Sequence, residues 1–274
     1  MTNLGWYPGH MTKAVRMMEE DLRLVDALIE LADARIPVSS RNPDIDRLFK
    51  DKFRILIFNK ADLADPKENE KIKEYFEKMG QSVMFTDARD RSNAADIKRI
   101  LRQQCSSKLE RDRKRGIIGR PLRAMVAGIP NVGKSTLINS FIGKASAKTG
   151  NKPGVTRGKQ WLRMDKDIEL LDTPGILWPK LEGERTGINL ALTGSIREEI
   201  LPLEELAQAL TEYVNSHYAG LLMEKYGGED IESIAVSRNL LVKGGEPDLN
   251  RAVRLLLDDF RNGKMGRISL ESIV

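Results

Sequence analysis

One cysteine and two histidines are all that 274 residues contain of those types. A lone Cys105 excludes an internal disulfide framework and any multi-cysteine zinc site. With no cysteine or histidine near it in sequence, Cys105 reads as a passive thiol. His10 and His217 are too few for a histidine-built metal centre. No stretch approaches the roughly 18 apolar residues that a membrane span needs. The opening MTNLGWYPGH lacks the basic-then-apolar order of a secretory leader. No membrane partner and a cytoplasmic address are therefore expected. Internal repeats and low-complexity tracts are missing too. What remains, 41% hydrophobic and 31% charged residues, is the composition of an ordinary globular chain of one or two domains.

Charge is nearly balanced, 45 basic against 40 acidic residues, so its distribution carries more than its sum. From Asn139 to Met164 there is no acidic residue, yet Lys144, Lys148, Lys152, Arg157, Lys159 and Arg163 lie there. Between Lys108 and Arg123 seven basic residues face only Glu110 and Asp112. Two solvated loops and two edges of a polyanion-binding face account for this equally well on composition alone.

Apolar spacing predicts an amphipathic helix over 11–23, a strand or buried segment over 25–32 and a strand over 53–58. A lysine-rich helix over 66–79, a short strand over 82–86 and a helix over 94–109 follow. Strands are expected again at 122–127, 160–164 and 168–172. Strands alternating with helices, several apolar throughout, indicate a mostly parallel sheet with helices on both faces. Near residue 180 the pattern changes. Leu203, Leu206, Ala207, Leu210, Tyr213, Val214 and Leu221 mark a long amphipathic helix, with further helices over 229–237 and 248–262. The last ends at Gly263 as a C-terminal cap. The chain thus divides into an α/β domain over 1–180 and a small helical domain over 181–274.

Gly128-Ile-Pro-Asn-Val-Gly133-Lys134-Ser135 fits the phosphate-binding P-loop between an apolar strand and a helix. Glycines let backbone N–H groups close around phosphate oxygens. Asn131, Val132, Gly133, Lys134, Ser135 and Thr136 supply most of that cradle. Lys134 reaches the β- and γ-phosphates, and the Ser135 hydroxyl ligates Mg²⁺. Downstream, Ile168-Glu-Leu-Leu-Asp172-Thr-Pro-Gly175 places a carboxylate at a strand end, where it holds Mg²⁺ through water. The Gly175 N–H meets the γ-phosphate. Thr156, in Pro153-Gly-Val-Thr156-Arg-Gly, completes the Mg²⁺ shell only while that phosphate is present.

Asn59-Lys60-Ala61-Asp62 follows another apolar strand. A carboxylate there accepts two hydrogen bonds from guanine N1–H and N2–H₂, which adenine does not offer. Asn59 bridges toward the base and the P-loop, and the Lys60 stem covers the ring. GTP is favoured over ATP on this chemistry.

NKAD, GIPNVGKST, PGVTRG and DTPG together are the signature of translation-factor-class GTPases. Their order is unusual, because the guanine motif starts 69 residues before the P-loop. With WYPGHM at the start and Asp33-Ala-Arg-Ile-Pro37, the chain resembles the circularly permuted YlqF/YawG GTPases. That resemblance implies a circularly permuted P-loop GTPase fold, GTP and GDP as ligands, and Mg²⁺. It also implies action in assembly of the large ribosomal subunit or its precursor through rRNA, as a monomer, with the helical domain facing RNA. Thr86-Asp87-Ala88 then becomes the second base-contacting loop, Asp87 and the Ala88 backbone approaching guanine, though it departs from the usual Ser-Ala-Lys. Ile176 stands where many GTPases carry a water-positioning glutamine. His10 is the candidate replacement, a role the resemblance also suggests, with Lys134 and Thr156 as its catalytic partners. His217 fits a partly buried structural role in the helical domain. Asn131 implies, by the same resemblance, a K⁺ ion against the phosphates. Two other readings stand further off: a GTPase of tRNA modification or metal transport, and a ribosome-binding protein whose hydrolysis is incidental.

Overall fold

A computed structural model describes residues 19–50, 52–142, 160–173, 183–196 and 201–273. Among these, six strands form one sheet: Ala27–Asp33 (β1), Phe53–Asn59 (β2), Ser82–Thr86 (β3), Leu122–Gly128 (β4), Gln160–Asp165 (β5) and Ile168–Asp172 (β6). Their order is β3-β2-β1-β4-β6-β5, parallel throughout except for β5, which runs antiparallel to β6. All seven residues of β1 are buried, so both of its faces are covered, as the centre of a parallel sheet requires. A strand apolar on both faces shows no alternation, which is why spacing alone leaves it open to a second reading.

The connections are helices Pro43–Leu48 (α1), Pro66–Lys78 (α2), Asn93–Gln104 (α3), Ser106–Lys114 (α4) and Lys134–Ile142 (α5). Asp65 caps α2 by accepting the Lys67 N–H, and Pro66 takes the first position, where no amide partner is needed. Ile72 and Phe76 of α2 pack on Leu56 and Phe58, while Ile45 of α1 meets Leu28 and Met125. Between these apolar groups Glu30 sits buried in β1, taken by Arg41 and Arg54. A charge at the centre of a strand is kept there by its two guanidinium partners.

Several expectations change. The helix expected over 94–109 is two, because Cys105 ends one and begins the next. Burial pushes the Cys105 thiol up to about 12, so it is protonated at neutral pH. The predicted helix over 11–23 is described only from Glu19, where it ends in a 3₁₀ turn at Leu22–Leu24.

Two compact units are present: Met1–Leu181 with Glu271–Val274, and Glu182–Leu270. The second contains Glu184–Leu192 (α6), Leu203–His217 (α7), Leu221–Tyr226 (α8), Ile231–Ser237 (α9) and Leu249–Arg261 (α10). Its core joins Leu206, Leu210 and Val214 with Leu222, Ile234, Leu256 and Phe260, all buried. Sequence spacing missed α6. It also carried α7 through Leu221, whereas the helix stops at His217 and Gly220 turns the chain at φ 79°. His217 is exposed rather than partly buried; its ring stacks on Tyr213 at 4.0 Å. Glu271, assigned by sequence to the helical domain, instead accepts the Val38 and Ser39 N–H groups at 2.7 and 3.0 Å within the first unit. No helix among the described residues is long and apolar enough to cross a membrane.

Candidate functional site

Parallel pairing decides where the motifs meet. The carboxyl ends of β1, β2, β3, β4 and β6 all lie on one edge of the sheet, where open α/β folds bind ligands. Asp33, Asn59, Thr86, Gly128 and Asp172 are the last residues of those five strands. Residues far apart in sequence therefore line one crevice on the order of 20 Å across, at about 4.7–4.9 Å per strand.

At the phosphate end, Gly128 to Gly133 turn from β4 into α5, whose first residues are Lys134, Ser135 and Thr136. Asn131 takes the left-handed conformation at φ 57°. The Lys134 ammonium is buried and donates to the carbonyls of Gly128 and Ile129 at 3.1 and 2.9 Å. Burial pushes it down to about 8, with the Asp172 charge opposing. Asp172 pairs in register with Val126 on the neighbouring strand, and Thr173 fixes that junction by donating to the Val126 carbonyl at 2.8 Å. One oxygen of Asp172, Oδ1, is buried and has no hydrogen-bond partner. Burial raises this carboxyl, and Lys134 lowers it. A buried carboxylate oxygen without a donor, at the end of the strand that pairs with β4 ahead of Ser135, is a ligand of the kind Mg²⁺ takes together with a hydroxyl and phosphate.

The lysine carries a pH consequence. Its ordinary value is about 10.4, so near pH 8 the folded chain releases a proton that an unfolded chain retains. Stability without nucleotide accordingly rises through that window, because the unfolded state binds more protons there. A phosphate beside Lys134 restores the ammonium. GDP binding is expected to take up protons, increasingly as pH passes 8, and to weaken between about pH 8 and 9. Calorimetry in two buffers of different ionisation enthalpy measures this directly. Zero proton uptake at pH 8.5 would remove the assignment of Lys134 to phosphate.

At the other end, Asn59 ties three segments together. Its Nδ2 donates to the Val132 carbonyl at 2.7 Å, and its Oδ1 accepts the Ala88 N–H at 2.7 Å. Gly133 (φ 102°) makes room for this, since a Cβ there would stand 2.2 Å from Asn59 Nδ2. The Ala61 N–H donates to the Thr86 carbonyl at 3.1 Å, joining the two loops expected to hold a base. Lys60 has φ 59°, a strained value for a long side chain, and its ammonium donates to Asp33 Oδ2 at 2.9 Å. Asp33 is itself gripped by the Arg35 guanidinium at 3.0 and 2.9 Å. Burial alone would raise Asp33, but Arg35 and Lys60 hold its carboxyl well below the usual range. Asp62 and Asp87 lie at the mouth of the crevice, and the Arg89 guanidinium joins them.

Sequence reading named Asn59, Lys60, Ala61, Asp62, Asp87, Ala88, Asn131 to Thr136 and Asp172, and the fold gathers them on one edge. It did not assign chemistry to Asp33, Arg35 or Arg89. The signal for Asp33 was its place at the end of an apolar strand, like Asn59 and Asp172. His10, Thr156, Gly175, Ile176 and the lysines at 144, 148 and 152 lie outside the described residues.

Comparison with known proteins supplies a second line. The family described as 50S ribosome-binding GTPase matches residues 123–222, a span that starts in β4 and leaves the Asn59–Asp62 loop before it. The chain is 41% identical to ribosome biogenesis GTPase A of Bacillus cereus, over 97% of this chain and 93% of that one. It is 35% identical to the Thermotoga maritima protein of that name, over 98% and 94%. The GDP-bound structure of T. maritima YlqF covers 94% of this chain and 99% of its own, with TM-score 0.67 and 31% identity.

Proposed function

This chain belongs to the ribosome biogenesis GTPase A family and hydrolyses GTP on a circularly permuted P-loop fold, and from that premise we propose that it assists assembly of the large ribosomal subunit, binding the immature particle with GTP and leaving after hydrolysis. One observation carries the site reading. Asn59 bonds the P-loop and the Ala88 loop at once, so a base held by one end is in register with phosphates held at the other.

Roles follow from the chemistry of each group. Backbone N–H groups from Asn131 to Thr136, at the positive end of α5, hold the phosphates. Lys134 exchanges its two carbonyl partners for β- and γ-phosphate oxygens and neutralises charge as the γ-phosphate leaves. Ser135, Asp172 and Thr156 would hold Mg²⁺, which neutralises phosphate charge when bound. Asn131 offers an amide oxygen of the kind K⁺ takes. The Gly175 N–H contacts the γ-phosphate. Asp62 reads guanine N1–H and N2–H₂, Lys60 covers the ring under the restraint of Asp33, and Ala88 N–H and Asp87 close the base from the far side. His10 acts on the attacking water.

The partner reading is supported by where the basic residues lie. The first unit has 35 Lys and Arg against 25 Asp and Glu, while Glu182–Leu270 has ten against fifteen. Cationic surplus therefore belongs to the GTPase unit, and we assign salt-sensitive phosphate contacts on rRNA to it, while the helical unit keeps the RNA-facing role that the resemblance implies. Co-sedimentation with large subunits in a non-hydrolysable GTP analogue, but not in GDP, is the expected result. Binding should fall steeply as salt rises, and charge reversal at Lys148, Lys152 or Arg157 should lower the salt slope by about one for each phosphate no longer neutralised. Salt-insensitive binding would point to a protein surface on the particle instead.

A further inference from the structure

Arg89 takes one oxygen of the carboxylate that the base is to use. Its Nη2 donates to Asp62 Oδ2 and to Asp87 Oδ2, each at 2.7 Å, and its Nε donates to Asp87 Oδ1 at 2.8 Å. The backbone beneath is anchored: the Arg89 N–H donates to Asp87 Oδ1 at 2.9 Å, and Asn93 Nδ2 holds the Asp87 carbonyl at 3.1 Å. The side chain itself is 70% exposed, against 33% for Asp62. It is thus an exposed cation on an anchored backbone.

A guanidinium and the Watson–Crick edge of guanine present the same feature to a carboxylate, adjacent N–H donors in one plane. Asp62 and Asp87 are two like charges at one mouth, and Arg89 bridges them and offsets one of the two charges. We propose that Arg89 is a built-in competitor for the guanine edge: it satisfies Asp62 in the nucleotide-free protein, must swing outward for the base to enter, and returns as the base leaves. The inference rests on the reading of Asp62 as the base carboxylate. Because exposed ion pairs are weak, displacement costs little, and the device tunes affinity and exchange without blocking either. Adenine, which has no paired donors on that edge, cannot repay even this small cost.

The test is a cycle of Arg89→Ala and Asp62→Asn, read by calorimetry with GDP and with xanthosine diphosphate. Arg89→Ala should tighten GDP by about three-fold, the scale of an exposed pair, and raise its association rate. Loss of a cation near a polyphosphate would by long-range charge weaken binding, so tightening isolates the competition. In the Asp62→Asn background, Arg89→Ala should leave xanthosine diphosphate affinity unchanged, because the carboxylate it competes for is gone. Unchanged or weaker GDP binding in Arg89→Ala overturns the proposal, as does equal tightening in both backgrounds. If Asp62→Asn alone leaves GDP affinity intact, the base-site reading fails instead, and the two failures are distinct.

Discussion

Replacing Asp62 by asparagine is expected to convert the protein from a guanine to a xanthine nucleotide binder. The carboxylate accepts two donors from guanine; an amide offers one acceptor and one donor, and sets N–H against N–H. A hydrogen bond to a charged group is worth about 1.5–3 kcal/mol. Losing two of them predicts a fall in GDP affinity of about 10²–10⁴-fold. Xanthine carries a carbonyl where guanine carries N2, and it accepts from the new amide, so xanthosine diphosphate should gain what GDP loses. Asp62 is well placed to show so clean an exchange. It is one-third exposed at the crevice mouth, and its ion pair is with the exposed Arg89, so the variant should fold normally. Asn59 is the opposite case: it holds the P-loop and the Ala88 loop together, and its loss would perturb both ends of the site at once. Calorimetry with both diphosphates decides the matter. Wild-type GDP affinity in the asparagine variant would remove Asp62 from the base site.

The difference between Asp62 and Asp33 shows what a sequence can reveal of such a site. Asp62 could be proposed from sequence because its motif is contiguous: four residues after an apolar strand point to a ligand without any tertiary information. Gly133 and Lys134 were legible for the same reason, since the P-loop is built from local backbone. Asp33 acts across 27 residues on Lys60, and no periodicity encodes which lysine a buried carboxylate will meet. The parallel sheet makes that meeting, by aligning Asp33 with Asn59 at the ends of adjacent strands. Arg89 was hidden differently. It stands in a polar run, Thr86-Asp-Ala-Arg-Asp90, where exposed charges are ordinary, and only the position of Asp62 in space gives it meaning. Helix limits failed where packing left the apolar spacing intact. Cys105 and Leu221 both keep the helical period, yet the axis breaks at the first and at Gly220 before the second. Glu271 follows the helical unit in sequence but satisfies amides of the turn after Asp33, a link set by fold and not by composition.

We propose that the large subunit stimulates turnover through His10; His10→Ala is then expected to leave GTP affinity near normal and to remove most of that stimulation. Three observations lead there. Ile176 fills the place after Asp172-Thr-Pro-Gly175 where a polar side chain would orient water, and an aliphatic group cannot. His217, the other histidine, is exposed at the end of α7 and stacked on Tyr213, with its Nδ1 within 2.8 Å of Ser216 Oγ and 3.0 Å of the Tyr213 carbonyl. Its Nδ1 contacts are local, within its own helix, and assign it no role at the phosphates. Lys134 is assigned to phosphate in the proposed site, and as a cation it can donate but not accept a proton. His10 remains, in Pro8-Gly9-His10, and an imidazole can accept a proton or a hydrogen bond from water. A group that acts on the attacking water contributes in the transition state and little to ground-state binding, so kcat should fall while KM holds. General acid–base catalysis is worth about 10²–10⁴-fold, and the stimulated rate should drop by that order. On this proposal the rate without ribosomal particles should barely move, because the particle would be what engages His10. Single-turnover hydrolysis with and without large subunits separates these effects. Stimulated turnover that survives within about two-fold, well short of that range, would pass the role to K⁺ at Asn131 or to a group on the particle itself.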